Sequence, residues 1–560
     1  MDDSPLRLSA AAAGADANVA RHLVAMAARQ PHVAALKVPR GRTAEGRIDY
    51  LTLTFAELAE EAANWRGRLA QAGVRRGDRV LVMVRPGLSL IAGVFATFQF
   101  GAVPVIIDPG MGLKSFLACV QRSRPRVLLG IAPARVLSRV FRRAFASVQI
   151  RVPVASALTA RMPRLTMPPP APIGSAAADL AAILFTSGST GRPKGVCYEH
   201  GMFEAQVRLV RETYAIEPGE VDLPLLPVFA LFNPALGMTT VVPEIDPRRP
   251  AALDPAKVVQ AIQQEGVTNA FGSPTLWRKI GEHCRARRIT LPTLRRVLCA
   301  GAPVPATLWT TAGEWLVNGE LHSPYGATEA LPVSSVSRTE VLRLKPTAAF
   351  GACVGRPVAE AEVRVIEAVD APIRSWADAR ELADGEIGEL VVAGPMVTRS
   401  YDASPEANLT AKIEAAAADQ ERADVWHRLG DCGYRDAHGR IWFCGRKAER
   451  VRTAAGVLYT EPVEQVFRAH PQAVRCALIG LGGHGAQTPA LVVEAGVRGA
   501  RASLLARELR ALAKSRPATA AIRRFYFRPR FPLDVRHNAK IHRLTLAAWA
   551  AGARFYDGGE

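Results

Sequence analysis

Apolar and polar positions alternate in blocks along the chain, and the period of each block names an element. "FAELAEEAANWRGRLAQAG" repeats apolar residues every three to four positions and predicts an amphipathic helix. "DRVLVMV" is a short continuous apolar run, as a strand buried on both faces requires. "LSLIAGVFATFQFGAVPVIID" reads as a helix, a glycine break and a strand. Helix and strand alternate in this way to about Leu180, which predicts βα units and a mostly parallel sheet. The Pro/Ala-rich "MPRLTMPPPAPIGSAAAD" (162–179) reads as a linker. From Leu180 the pattern resumes: strand "LAAILF", a glycine loop, a helix near "HGMFEAQVRLVRETY", then strands "TNAFG" and "RVLCAG".

Between Gly351 and Phe443 the texture changes. "EVRVIEA", "GEIGELVVAG" and "GRIWFCG" are short β runs separated by Gly, Asp and Pro, which predicts a small β subdomain. After Gly445 the order is helix "EPVEQVFRA", strand "VRCALIG", strand "ALVVEAG", helix "SLLARELRALAKS", strand "IRRFYF". The fold class is therefore α/β. A large N-terminal domain of parallel-type α/β subdomains plus the small β subdomain is expected over 1–445, and a small mobile α+β C-terminal domain over 450–560, with 446–449 as hinge. At 560 residues the chain is long enough for at least two cores.

Composition narrows the setting. The net charge is +20, and only ten of the 71 basic residues are lysine. Such a charge attracts anions, but the arginines are spread along the chain and no basic block alternates with aromatics. That favours a solvated basic surface over a nucleic-acid interface. No two of the eight cysteines lie within three residues of each other, so neither a zinc ladder nor a disulfide framework is expected. The N-terminal stretch starts acidic and has no long apolar core, and no apolar run of about 18 residues appears. A cytoplasmic protein with no transmembrane segment is expected.

The chemistry begins at "FTSGSTGRPKG", Phe185–Gly195. A strand that runs into a Gly/Ser/Thr loop can aim backbone N–H groups and hydroxyls at an anion, and a lysine adds charge. It is not a GxxxxGK[S/T] P-loop, because Lys194 lies three residues beyond Gly191 and Gly195 follows it. "TSGSTGRPKG" is similar to the phosphate loop of the adenylate-forming superfamily: acyl-CoA synthetases, luciferases and peptide-synthetase adenylation domains. "CAGAPV" (299–304), "YGATEA" (325–330), "HRLGDCGYRDAHGRIWFCGR" (427–446) and "PLDVRHNAKIHR" (532–543) resemble four further motifs of that superfamily, in its order.

The resemblance implies ATP and Mg²⁺ as cofactors and gives each position a role. Thr186, Ser187, Gly188, Ser189, Thr190, Gly191 and Lys194 would cradle the β- and γ-phosphates. Gly301, Ala302, Tyr325 and Gly326 would flank the adenine, with Gly326 also facing the acyl group. Glu329 would ligate Mg²⁺, a hard ion suited to carboxylate oxygens. Thr328 would contact the α-phosphate. Asp431 would accept from the ribose hydroxyls and Arg446 would donate to the same sugar. Lys540 would bridge the substrate carboxylate and the α-phosphate as charge develops.

Three departures bear on the second half-reaction. Thioester-forming members commonly carry "PxFHxxG" where this chain has "LPVFALFNPALG", so the histidine position falls on Ala230. The hinge position, usually Asp or Lys, is Ala448. "AAGVLYTEPVE" (454–464) is about one residue shorter than the usual loop beside the CoA tunnel. With "LFNPALGMTTVVPEIDPRRPA", "FGACVGRPV" and "DVRHNAKI", the chain resembles the β-lactone synthetase branch of long-chain olefin biosynthesis. That resemblance implies adenylation of a 2-alkyl-3-hydroxy fatty acid and closure by its own 3-hydroxyl, with Phe229 and Phe232 lining an apolar entrance. It also implies thiolase-like, reductase and β-lactone decarboxylase partner enzymes. No base for the hydroxyl is evident; the leaving phosphate and His537 are the candidates. The alternatives are a long-chain fatty acyl-CoA ligase using the same acyl-AMP, and a non-catalytic nucleotide-binding scaffold.

Overall fold

The structure is a computed structural model that describes residues 16–186, 193–246, 249, 252–344, 351–416, 425–483, 485–533 and 540–559. A six-stranded sheet flanks the Gly/Ser/Thr loop. Its spatial order is Ile150–Val154, Val127–Ile131, Arg79–Met83, Val103–Ile107, Leu180–Thr186, Lys194–Glu199. The first five strands are parallel and the last is antiparallel. Helices on both faces bury the continuous apolar runs. Phe55–Gln71, opened by a Thr54/Glu57 capping box, contributes Leu58, Ala62, Trp65 and Leu69 to the core.

A fourteen-stranded sheet forms the second wall. Strands Thr239–Val241, Val221–Pro224, Asn269–Gly272, Arg296–Cys299 and Glu320–Ala327 run parallel across its middle. From Ala330–Ser337 it continues antiparallel through Ala352–Pro357, Ile441–Arg446, Val425–Arg435, Gly388–Ala393 and Glu362–Ile366. The short β runs after Gly351 are thus an antiparallel extension of this sheet, joined to it where Ser334 pairs with Pro357. Behind the parallel part, Trp277 and Trp315 stack with ring centroids 5.8 Å apart in a second core.

Beyond Val451, strands Cys476–Leu481, Thr488–Glu494, Arg524–Arg528 and Tyr556–Asp557 form a separate sheet. Residues alternate between its faces as the pleat requires. Leu478, Leu491 and Phe525 pack with Phe467 of helix Thr460–Arg468 and Leu505 and Leu509 of helix Gly499–Lys514. Ile479, Val492 and Tyr526 pack with Leu546 of helix Arg543–Ala550 on the opposite face. Among the described residues no helix is long and apolar enough to cross a membrane.

Candidate active site

The site lies where three chain reversals meet. The first is the Gly/Ser/Thr loop: strand Leu180–Thr186 runs into it and the chain returns as Lys194–Glu199, with Thr186 paired to Lys194. Ser187, Gly188, Ser189, Thr190 and Gly191 lie outside the described residues. The second is the turn at Thr328 and Glu329, between strands Glu320–Ala327 and Ala330–Ser337. The Tyr198 hydroxyl donates to the Thr328 carbonyl. The Thr398 N–H donates to the Glu329 carbonyl at 2.8 Å, and the Tyr401 hydroxyl donates to Glu329 Oε1 at 2.8 Å. Glu329 Oε2 has no hydrogen-bond partner among the described residues, so one carboxylate oxygen is left for a hard cation. Gly326, just before the turn, sits so close to the facing strand that a Cβ there would lie 2.6 Å from the Ala330 carbonyl oxygen.

The third reversal joins strands Val425–Arg435 and Ile441–Arg446, whose register pairs Asp431 with Arg446. Asp431 is 5% exposed. Its Oδ2 accepts from the Tyr325 hydroxyl at 2.7 Å, and Arg446 Nη1 stands 2.8 Å from Oδ1. That guanidinium N–H is off the line of a good hydrogen bond, so buried Oδ1 keeps an unsatisfied lone pair. An acceptor left open in this way fits a sugar hydroxyl. Burial pushes the Asp431 carboxyl above its ordinary range, while Arg446, Tyr325 and Lys540 pull it back. The Tyr325 phenol is raised by burial and by Asp431, which keeps it a donor. Tyr325 is thereby tied to the Asp431 carboxylate, its ring 6.3 Å from that of Phe443.

Lys540 reaches the same space from the C-terminal sheet. Leu533 bridges to Ile541, and the His542 N–H donates to the Pro532 carbonyl at 3.0 Å, closing the lysine segment. Arg543 anchors it: Nε and Nη2 meet the two oxygens of Glu464 at 2.8 Å each, and Nη1 meets Glu449 at 3.0 Å. His537 lies outside the described residues. At residues 446–452 the two parts are pinned together. Lys447 Nζ donates to Glu389 Oε2 at 2.8 Å, where buried Arg428 also binds at 2.6 Å, and Arg450 and Arg452 pair with Asp370 at 2.8 and 2.5 Å. Gly445, at φ +134°, has Thr460 packed against it so closely that no Cβ fits.

One continuous cleft of about 3450 Å³ is lined by Lys194, Gly301, Ala302, Tyr325, Gly326, Thr328, Glu329, Asp431, Arg446 and Lys540. It runs on into an apolar arm walled by Phe95, Phe98, Phe203, Phe229, Phe232 and Phe271. Phe229 stacks on Phe271 at 3.7 Å, and Phe203 meets Phe232 edge-on at 6.4 Å. Ala230 is buried beside them. This turn is fixed by Asn233, whose amide donates to Asp222 Oδ2 at 2.8 Å and to Thr240 at 2.9 Å. Asn269 donates to the other Asp222 oxygen at 2.6 Å. Burial pushes the Asp222 carboxyl up to about 6 despite these two donors.

Residues 25–402 match the AMP-binding enzyme family. The chain belongs to this family. Over 549 residues it is 43% identical to an olefin beta-lactone synthetase of Xanthomonas campestris pv. campestris, covering 96% of this chain and 98% of that one. It is 44% identical to an olefin beta-lactone synthetase of Stenotrophomonas maltophilia, covering 95% and 98%. In fold it is similar to O-succinylbenzoate Coenzyme A synthetase from Bacillus subtilis, solved in complex with ATP and magnesium ion. That likeness has a TM-score of 0.72 at 22% identity and covers 94% of this chain and 98% of that one. Three further residues have no role assigned by the linear motifs, although His427 opens the 427–446 segment. Tyr401 and Lys412 face Glu329 only through the fold, and His427 lines the cleft with Nδ1 donating to the Ala411 carbonyl at 3.1 Å. Burial, then Lys412, holds the His427 imidazole well below its ordinary value, so Nε2 bears a lone pair.

Proposed function

We propose that this protein is a cytoplasmic, ATP-dependent β-lactone synthetase acting on long-chain 2-alkyl-3-hydroxy fatty acids. The near-full-length likeness to two olefin beta-lactone synthetases carries the reading. It is supported by the aromatic arm, which opens onto the nucleotide side of the cleft with buried Ala230 where a thioester-forming relative would place histidine.

In the first step a substrate carboxylate oxygen attacks the α-phosphorus of ATP, and the bond to pyrophosphate breaks. Lys540 neutralises charge as it builds between carboxylate and phosphate, Thr328 donates to the α-phosphate, and Lys194 holds the outgoing phosphates. Asp431 and Arg446 orient the ribose. Mg²⁺, held through Glu329, would supply neutralising charge to the phosphates. In the second step the 3-hydroxyl oxygen attacks the acyl carbon, the acyl–phosphate bond breaks, AMP leaves, and the hydroxyl proton passes to the leaving phosphate or to His537. The nucleophile is already on the substrate, so the protein has only to fold the chain and exclude water. The Phe-lined arm does both. Residues 1–445 bind the nucleotide and acid, and rotation within 446–449 moves the lid, residues 450–560, that carries Lys540. Enzymes that build the hydroxy acid and decarboxylate the lactone would be the partners.

A 2-alkyl acid lacking the 3-hydroxyl tests this reading. It should exchange pyrophosphate into ATP and leave acyl-AMP on the protein without turnover. Rapid AMP release from that acid on adding CoA would instead make the protein an acyl-CoA ligase.

A further inference from the structure

Tyr401 is 5% exposed and sits between three parts of the site. Its segment, 398–402, is pinned to the strand that carries Lys194. The Cys197 N–H donates to the Ser400 carbonyl at 3.1 Å, the Asp402 N–H donates to the Gly195 carbonyl at 2.7 Å, and Val196 bridges to Tyr401. The same segment grips Glu329 twice, through the Thr398 N–H on its carbonyl and the Tyr401 hydroxyl on its carboxylate. Lys194 Nζ lies 5.0 Å from the Tyr401 ring centroid and Lys412 Nζ 5.6 Å from it.

Lys412 is the unusual member. It is 8% exposed and, among the described residues, makes no direct ion pair, although the charge of Glu329 acts on it. Its ammonium is held by the Thr398 carbonyl, by Thr398 Oγ1 at 3.1 Å, and by the Tyr401 ring. A buried amine without a paired carboxylate is costly to charge, and burial lowers the pKa of this one to about 7 while Glu329 pulls it back up. Here it fixes both ends of the segment that holds Glu329. Among the described residues the carboxylate is left with one oxygen bound and one open.

We propose that Tyr401 and Lys412 are positioning residues for the divalent cation that accompanies ATP: Tyr401 orients the Glu329 carboxylate, and Lys412 anchors the 398–401 segment. This rests on the reading of Glu329 as the metal ligand. Neither side chain touches the reacting atoms. Both act by keeping Oε2 of Glu329 aimed at the cation site in the absence of metal.

The test is calorimetric binding of a non-hydrolysable ATP analogue to the full-length protein, with Mn²⁺ and with EDTA. The ratio of the two affinities reports the metal's coupling and requires no turnover. Losing a hydrogen bond to a charged group lowers that ratio about tenfold in Tyr401→Phe, with the metal-free affinity unchanged. Lys412→Met, which also serves if Tyr401→Phe does not fold, lowers the ratio too. A lysine acting only as a nearby positive charge would raise it on removal, and that result overturns the proposal. Glu329→Gln separates the two layers. If it lowers the ratio while Tyr401→Phe and Lys412→Met do not, the positioning role is wrong. If Glu329→Gln itself changes nothing, the metal-ligand reading fails and the positioning role falls with it.

Discussion

Arg543→Met should loosen the segment that presents Lys540. Arg543 makes three contacts of 2.8–3.0 Å to two carboxylates, and its partner Glu464 is fully buried. Glu464 keeps two other donors, Arg468 at 2.9 Å and the Leu478 N–H at 3.0 Å. The loss therefore falls at the low end of what removing one partner of a buried ion pair costs, about 3 kcal/mol. In a unit of roughly 100 residues that shifts the melting point by about 4–8 °C for each kcal/mol. The functional loss comes earlier than melting, because Arg543 lies three residues beyond Lys540. A misplacement of about 1 Å at a reacting group can cost about 100-fold in rate. ATP–pyrophosphate exchange should thus fall by about that factor at temperatures where circular dichroism still shows folded protein, with nucleotide binding retained. Arg543→Lys restores a charge but not the two-pronged contact and should recover little. An Arg543→Met protein that melts with the wild type and exchanges at the wild-type rate would refute this account of how Lys540 is held.

The remaining predictions concern other layers of the site. Asp222 keeps its proton in the folded chain up to about pH 6, against an ordinary value of 3.8. Its contribution to stability is therefore complete below the ordinary value and is lost as pH rises through about 6. Asp222→Asn should gain on the wild type by about 3 kcal/mol between about pH 4 and pH 7 in urea titrations, and a pH-independent difference would contradict this. Phe229→Ala removes the ring stacked at 3.7 Å on Phe271 and should raise KM for long-chain acids about tenfold or more while sparing short ones. Equal effects on both would mean that the ring only supports the fold. Lys540→Ala should abolish most exchange while leaving ATP affinity within about threefold of the wild type, since its charge serves the transition state; equal exchange rates would remove that role.

Much of the architecture could be read from periodicity because the relevant runs are long and uniform. "FAELAEEAANWRGRLAQAG" is helix Phe55–Gln71 over most of its length, and "LAAILF" is the strand entering the Gly/Ser/Thr loop. The hairpin Ala34–Arg42 and Ile48–Thr54 gives no such signal, since "AALKVPRGR" contains Pro39 and Gly41 and lacks alternation. The strand Lys194–Glu199 was hidden for another reason: it is short and runs straight into helix His200–Tyr214.

The site divides along the same line. Glu329, Asp431, Arg446 and Lys540 sit in motifs whose spacing survives in the linear chain. That Asp431 faces Arg446 depends on a ladder register, and motif spacing does not contain it. Lys412 is less legible still. "TAKIEA" looks like a solvated helix end, and only the packing of 398–402 against the Lys194 strand puts its ammonium under cover. The Asn233–Asp222–Asn269 network joins residues up to 47 positions apart and likewise has no local signature.

The most direct measurement is NMR of the products formed by purified protein from ATP, Mg²⁺ and a synthetic 2-alkyl-3-hydroxy acid, with and without CoA. NMR avoids the heating that would strip CO₂ from a β-lactone. The account predicts a β-lactone with AMP and pyrophosphate, at the same rate in both mixtures. A thioester appearing only with CoA, and no lactone in either mixture, would contradict it.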